Sequence, residues 1–245
     1  MTRRVLVFNP AAGRGLAARV LPTVQAAFEL AGHRVELEPT CGPGGAVGIA
    51  RRVCPGLGPQ DAVVVIGGDG TLNEVVAGAA DAGLLGGSTP PCFGVVPAGT
   101  ANVVARDLGL PLSPVRAARL VARAGSRPFD VGVCELNGRA RPFVLACGIG
   151  LSAEAVARVR PGLKRSMGRL AYVVAAVAST GADARGLRVD WEDESGVRTE
   201  DVPAASVVVC NARWYGGHAR LVRDASPSDG LLRTPADRIP RRRTS

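Results

Sequence analysis

The sequence is poor in aromatic residues and almost devoid of lysine. Only 4% of its 245 residues are Phe, Trp or Tyr, and Lys164 is the single lysine among 30 basic residues. Because 47% of the chain is hydrophobic, we expect a core built from Val, Ala and Leu. The arginine bias is typical of a GC-rich genome. The formal net charge of +9 is therefore weak evidence for an anionic partner.

Long apolar runs and paired cysteines are also missing. The longest uninterrupted apolar run near the middle, residues 170–178, is far shorter than the roughly 20 residues of a membrane-spanning helix. The apolar run near the N-terminus ends at Asn9-Pro10. This run is too short for a signal peptide and is typical of a buried strand. No CxxC pair occurs among the six cysteines. This disfavours a disulfide framework or a zinc site and favours reduced thiols in a cytoplasmic protein.

The first half of the chain alternates between strand and helix patterns. Continuous apolar runs predict strands at residues 4–8, 35–38, 62–66 and 93–96, and helical spacing predicts helices at 16–30, 46–53, 72–82, 101–108 and 113–124. Such alternation predicts an α/β fold whose parallel sheet is covered by helices on both faces. In these sheets ligands bind beyond the carboxyl ends of the strands.

The pattern changes after about residue 127. Strands are predicted at residues 129–135, 142–147, 187–191 and 206–210, with a helical stretch at 166–179. We therefore expect an α/β domain over residues 1–127 and a β-rich domain with an antiparallel sheet over 128–232. The arginine-rich end, residues 233–245, is predicted to be a loose tail.

Three glycine-rich segments follow predicted strands. They are NPAAGRG at residues 9–15, GGDGTLNE at 67–74 and PAGTAN at 97–102. Glycines at a strand end let backbone N–H groups approach an anion, and the following helix adds its positive N-terminus. For any one segment, a tight turn is as good an explanation as an anion-binding loop. Three such segments on one edge of the sheet favour a phosphate site. None is a Walker A loop or a GxGxxG fingerprint with an acidic partner. Asp69, between two glycines, suits Mg²⁺ or an acceptor hydroxyl rather than a phosphate.

Together these segments resemble the diacylglycerol kinase catalytic family, specifically the soluble bacterial lipid kinases, over roughly residues 3–232. The resemblance implies a phosphofructokinase-like α/β domain and a C-terminal β-sandwich, with ATP bound in the cleft between them. It implies ATP contacts at Asn9, Thr40, Gly67, Gly68, Asp69, Gly70, Thr71, Leu72, Asn73 and Thr100. It also implies that Asp130, in the segment FDVG, joins a catalytic polar network around Asp69.

A structural Mg²⁺ site is also implied by the resemblance. The segments NARWYGG and DASPSDGL, residues 211–217 and 224–231, match the stretch that binds this ion in the family. The carboxylate of Asp229 and the backbone carbonyls of Ser226 and Leu231 would be its ligands. An all-oxygen set of this kind suits Mg²⁺. On its own, SPSDG would be read as a turn.

Two departures from the family pattern affect the implied chemistry. Val103 follows Asn102 where the family often has Asp, so one network carboxylate is missing. The Asp-Gly-Glu motif whose glutamate is the proposed general base of the family occurs nowhere in this sequence. We therefore expect a truncated or frame-shifted chain in which the β-sandwich is incomplete and the family's general base is absent.

The function that these features predict is an ATP-dependent lipid kinase acting on a lipid such as diacylglycerol. An NAD kinase shares the GGDGT loop, and a catalytically impaired nucleotide-binding remnant is a second alternative. A lipid substrate predicts peripheral contact with the inner membrane face, with the basic cluster at residues 158–169 as one candidate surface. Nucleic acid is not expected as a partner, because basic residues do not alternate with aromatics. A homodimer is compatible with the sequence.

Overall fold

The computed structural model describes residues 1–87, 90–150, 187–193, 196–202, 206–215, 219–220 and 222–234. The helix predicted at 166–179, the basic cluster at 158–169 and residues 235–245 of the tail predicted at 233–245 lie outside these residues. The prediction of a loose tail is wrong at Arg233, because the backbone of Arg233 forms an antiparallel bridge with that of Cys210. In the first half the elements are β1 (Arg3–Phe8), α1 (Ala12–Glu29), β2 (Arg34–Pro39), α2 (Gly45–Val53), β3 (Ala62–Gly67), α3 (Asp69–Asp81), β4 (Cys92–Pro97), α4 (Val103–Asp107) and α5 (Pro114–Val121).

Four parallel strands form the central sheet, in the order β2-β1-β3-β4. Alternate residues of each strand enter two separate cores. Val5, Val7, Val63 and Val65 pack with α2 and α3 on one face, whereas Leu6, Val64, Ile66 and Val96 pack with α1 and α5 on the other. Each fully buried side chain of this size contributes roughly 1.5–3 kcal/mol. The prediction of a parallel sheet covered on both faces is confirmed.

Glycines determine where regular helix begins in α3 and α1. Helix α3 begins at Asp69, three residues before the predicted start, because Gly68 is still extended and the helix turns immediately after it. In α1 the residues Gly13, Arg14 and Gly15 have positive φ angles of 59°, 58° and 84°. Regular helix in α1 therefore starts only beyond Gly15, close to the predicted start at residue 16.

The second half contains β5 (Gly132–Leu136), β6 (Arg139–Phe143), β7 (Ala146–Gly150), β8 (Leu187–Asp193), β9 (Gly196–Val202), β10 (Ser206–Cys210), β11 (Trp214–Tyr215) and β12 (Ala219–Arg220). All pairings among these described strands are antiparallel: β5 with β6, β7 with β10, β8 with β9 and β11 with β12. This agrees with the predicted β-rich second part.

The prediction of one strand at residues 142–147 is wrong. The chain leaves β6 after Phe143 and enters β7 only at Ala146. Between them the N–H of Val144 donates to Asn73 Oδ1 at 3.1 Å, and the carbonyl of Leu145 accepts from the N–H groups of Asn211 and Ala212. These bonds take the backbone groups that a continuous strand would use.

All six cysteines lie in described residues, and their thiols are not paired in disulfides. Burial raises the pKa of Cys54 and Cys210 to about 11, so both thiols stay protonated near neutral pH and are poor nucleophiles. Among the described residues, no helix combines the length and apolar character needed to cross a bilayer.

A buried ion pair joins α4 to the second half of the chain. The side chain of Asp107 is completely buried, and its Oδ1 lies 3.5 Å from Nε of Arg213, whose side chain is 44% exposed. Neither Asp107 oxygen has a well-oriented hydrogen bond in the described part of the chain. Burial raises the pKa of Asp107 by penalising its charged form, and Arg213 only partly offsets this.

The raised pKa predicts how stability depends on pH. A carboxyl whose pKa is higher in the folded state than in the unfolded state binds more protons when the protein is folded. Its contribution to the free energy of unfolding is fully present below the unfolded-state pKa and is lost as pH rises through the folded-state pKa. Relative to Asp107→Asn, which does not titrate, the wild type should gain stability as pH falls from neutral toward the ordinary aspartate pKa of 3.8. Urea unfolding at several pH values measures this difference. The exposed Asp81→Asn variant is the control, and a pH-independent Asp107→Asn difference would contradict the prediction.

Candidate functional site

The three glycine-rich segments meet at the carboxyl edge of the central sheet. They follow β1, β3 and β4, whereas Thr40 follows β2 and is buried. Backbone hydrogen bonds join neighbouring strand ends: Thr40 N–H donates to Phe8 O at 2.9 Å, Asn9 N–H to Ile66 O at 3.3 Å and Ala98 N–H to Gly67 O at 2.8 Å. The residues predicted to contact ATP are thus brought to one edge of the sheet. Leu72 differs from the others, because its side chain is buried in the hydrophobic core.

The loops touch backbone to backbone. A Cβ atom on Gly99 would overlap the Cα of Gly68, and a Cβ on Gly13 would overlap the carbonyl oxygen of Ala98. A Cβ on Gly68 itself would lie 3.2 Å from the Cα of Gly99. Only glycine permits this approach, which leaves main-chain groups rather than side chains at the junction. Such a surface suits an anion that binds N–H groups.

Asn102 closes the loop that follows β4. Its Oδ1 accepts the N–H of Gly99 at 2.9 Å, and its Nδ2 donates to the carbonyl of Gly99 at 3.1 Å. Its φ angle of 50° is left-handed, a conformation for which Asn is enriched. Thr100 lies within this closed loop, and Thr71 is buried in the first turn of α3 beside Gly67.

Asp69 is positioned by a neighbouring helix. Its Oδ2 accepts the N–H of Val103 and its Oδ1 the N–H of Val104, both at 3.0 Å. These are the first two residues of α4, where a carboxylate is favoured by the free N–H groups and the helix dipole. The predicted contact of Asp69 with a metal or an acceptor hydroxyl stays a prediction.

Helix α3 makes two further connections from the turn after Asp69. Asn73 reaches the second half of the chain, since its Oδ1 accepts from Val144 and its Nδ2 lies 3.4 Å from the carbonyl of Pro142. Glu74 accepts the N–H of Gly44 at 3.0 Å and that of Ala46 at 3.2 Å, at the start of α2. One helix thus holds α4, α2 and the β6–β7 connection.

The sequence predicted no role for Glu74 or Asn102. Asn102 carries a local signal, because Asn is a common turn residue that tolerates a left-handed backbone and whose side chain bonds nearby backbone groups. The Glu74 contacts join residues 28 and 30 positions apart. No local spacing reveals such partners.

Asp130 and the segment after residue 225 form a second polar group. The N–H of Asp130 donates to Pro227 O at 2.7 Å, and its Oδ2 accepts the N–H of Gly230 at 2.7 Å. The buried side chain of Asn211 donates to the carbonyls of Asp130 and Val144. In the described part of the chain no hydrogen bond joins Asp130 to Asp69, so the proposed network between them stays a prediction.

The predicted Mg²⁺ ligands lie in this segment, but the carboxylate is occupied. Asp229 Oδ1 accepts the N–H of Leu231 at 3.1 Å, and Oδ2 lies 2.7 Å from Nη1 of Arg233. Burial opposes the charge of Asp229, yet the Arg233 hydrogen bond keeps the pKa of Asp229 below its usual value. A cation and Arg233 would compete for the same oxygen. In this arrangement Ser226, Asp229 and Leu231 do not fit a bound divalent metal.

Comparisons with known proteins give a consistent picture. A family model described as the diacylglycerol kinase catalytic domain matches residues 3–134. The chain is 32% identical over 233 residues to a diacylglycerol kinase of Bacillus subtilis, covering 95% of this chain and 72% of the relative. It is also 32% identical over 180 residues to a Xanthomonas oryzae pv. oryzae protein named as a probable lipid kinase YegS-like, covering 69% of this chain and 54% of that relative.

A solved structure shares the fold as well as the sequence. A crystal structure of a diacylglycerol kinase from Bacillus anthracis superposes with a TM-score of 0.68 at 25% identity, covering 94% of this chain and 71% of the other. The family model alone covers more than half of the sequence and includes all three glycine-rich segments. The chain therefore belongs to the diacylglycerol kinase catalytic-domain family.

Proposed function

We propose that the protein is an ATP-dependent lipid kinase that transfers the γ-phosphoryl group of Mg·ATP to the hydroxyl of a lipid such as diacylglycerol. The observation that carries the proposal is the backbone contact between the glycine loops after β1, β3 and β4 at one sheet edge. The names of the relatives, which include diacylglycerol kinase and lipid kinase, support a lipid as the acceptor.

The nucleotide phosphates would bind the N–H groups of residues 68–70 at the start of α3, with Asn9, Thr40, Asn73 and Thr100 around them. The N–H of Thr71 is already donated to the carbonyl of Gly68 at 3.1 Å. A carboxylate at this helix start would ordinarily repel a phosphate. Here both carboxylate oxygens of Asp69 accept hydrogen bonds from N–H groups of α4. These bonds partly compensate the negative charge of Asp69. The loop N–H groups thus remain available to an anion.

The reaction needs positioning more than covalent chemistry. A bond forms between the lipid hydroxyl oxygen and the γ-phosphorus, and the bond from that phosphorus to the β–γ bridging oxygen breaks, so that ADP leaves. The hydroxyl proton passes to solvent water. Mg²⁺ that enters with ATP would neutralise charge on the phosphate oxygens. The chain contributes a fixed cradle, held by Asp69, Asn73 and Glu74, in which the two reactants meet. A membrane lipid would be met by peripheral contact at the bilayer surface.

The direct test is transfer of label from γ-labelled ATP to diacylglycerol, sphingosine and NAD. We expect label in a lipid and none in NAD. Gly68→Val should abolish both transfer and ATP binding measured by calorimetry, because its side chain fills the approach to the loop backbone and presses on Gly99. Gly87→Val is the matched control, because beyond its chain neighbours no atom of the described residues lies within 4 Å of the Cβ position.

Each other outcome has a distinct meaning. Label in NAD would make the protein an NAD kinase. ATP binding without transfer to any acceptor would indicate a nucleotide-binding remnant. Equal ATP affinity in the wild type and Gly68→Val would rule out this loop as the phosphate cradle.

Glu74 is predicted to control nucleotide affinity without touching the nucleotide. Glu74→Ala removes both acceptors at the start of α2, so the turn from Thr40 to Gly45 loses its tether to α3. Loss of a helix cap costs about 1 kcal/mol, equivalent to roughly a fivefold weaker ATP affinity if the cost falls on the bound state. Calorimetry compares this variant with Glu29→Ala, which replaces an exposed glutamate whose side chain accepts from Gln25 on the same helix. Unchanged ATP affinity in Glu74→Ala would show that the tether does not shape the site.

We propose that a structural Mg²⁺ can bind Asp229 only when the side chain of Arg233 has left the Asp229 carboxylate. Mg²⁺ that binds the folded state alone raises the melting temperature by mass action. Arg233→Gln should therefore show a larger Mg²⁺-dependent increase than the wild type, and Asp229→Asn should show almost none. Thermal unfolding in chelator and in excess Mg²⁺ measures both. Identical shifts in all three proteins would place any Mg²⁺ site elsewhere.

A further inference from the structure

An exposed face of α5 carries cations and leucines but no acidic residue. We call it the α5 face and define it by Leu112, Arg116, Arg119, Leu120 and Arg123. These residues recur at spacings of three and four, so they share one side of the helix and its flanking turns. All five are exposed, and Leu112 and Leu120 remain 41% and 47% exposed. The opposite side is buried through Ala117, Ala118 and Ala122.

The guanidinium groups of the three arginines are not neutralised by any described residue. In the part of the chain that the structure describes, none of these three side chains takes part in an ion pair or hydrogen bond, unlike Arg3, Arg52 or Arg213. The sequence from residue 108 to residue 129 contains four arginines and no Asp or Glu. A shallow open depression of about 450 Å³ is lined by Pro111, Arg116, Arg119, Leu120 and Arg123. The face is therefore locally cationic.

The α5 face is also rigidly placed. Its C-terminal end is tied to the start of β1 through His33, whose Nε2 bonds the carbonyl of Ala122 at 2.7 Å and whose Nδ1 bonds Thr2. Its N-terminal end, Leu112, lies five residues after α4, the helix that holds Asp69. A partner bound here would lie along the side of the α/β unit, beginning next to the glycine-loop edge.

We propose that the α5 face docks on an anionic lipid surface. Unpaired arginines near such a surface gain favourable electrostatic interaction, and leucines on the same face insert at the boundary between headgroups and acyl chains. Nucleic acid fits less well, because the face has no aromatic side chain on which bases could stack. The proposal concerns attachment to the membrane. It does not depend on the proposed phosphoryl transfer.

The test measures binding of the full chain to sedimented vesicles without ATP or diacylglycerol, so that failure of the kinase proposal does not affect it. Vesicles of phosphatidylcholine are compared with vesicles that also contain phosphatidylglycerol. The wild type should bind only the anionic vesicles, with an affinity that falls as salt rises. Arg119→Glu/Arg123→Glu should lower that affinity at least about tenfold, since two attractive charges become repulsive.

The matched control is Arg51→Glu/Arg52→Glu on α2, which makes the same change in net charge on the opposite face of the sheet. It should retain at least half of the wild-type binding. Leu120→Ser should weaken binding about threefold or more, whereas Leu30→Ser, at the end of α1, should have no effect. Circular dichroism establishes that the variants are folded.

Three results would overturn the proposal. The first is wild-type binding to neutral and anionic vesicles alike. The second is an equal loss in the α5 and α2 charge variants, which would mean that only net charge matters. The third is α5-dependent binding to RNA or polyglutamate with no binding to vesicles, which would assign the face to another polyanion.

Discussion

The carboxylate of Asp69 and the two N–H groups at the start of α4 form the interaction on which the site depends. Helix α4 has only five residues, too few to be stable alone, and its first N–H groups have no partners within the helix. Asp69 satisfies two of them and thereby fixes the loop from Pro97 to Asn102 against the glycines after β3. The same bonds compensate a negative charge at the place where a phosphate is proposed to bind.

Two further side chains of helix α3 also accept backbone N–H groups, as Asp69 does. Asp69, Asn73 and Glu74 lie within two turns of one helix, and each accepts backbone N–H groups from a different part of the chain. A carboxylate or amide acceptor with good geometry compensates the burial of otherwise unpaired N–H groups. The site is therefore assembled by side chains that bind backbone, and replacing Asp69 changes the position of α4 as well as any chemistry. A loss of turnover in such a variant would not by itself assign a chemical role to Asp69.

The sequence was sufficient to predict the sheet and its edge. Runs such as residues 62–66 are apolar on both faces because parallel strands are buried on both sides, and glycines mark the points where backbones touch. Contacts between distant elements carry no such pattern. The strand predicted across residues 142–147 failed because Asn73 and Asn211, far away in sequence, take backbone bonds there. The pairs Glu74–Gly44 and Asp107–Arg213 were invisible for the same reason.

The contacts from α3 and α4 to the second half of the chain connect the glycine-loop edge with the β-rich part. Asn73 binds the β6–β7 connection, and Asp107 lies against Arg213 just before β11. These contacts differ in kind, since the first is a set of neutral hydrogen bonds and the second is a buried charge with an imperfect partner. Removing only one member of such an ion pair leaves an uncompensated charge, so the arginine matters more to the fold than its exposure suggests. A nucleotide that fixes the loops before α3 and α4 would therefore also restrain β6, β7 and β11. The restraint would pass through the Asn73 hydrogen bonds and the Asp107–Arg213 ion pair.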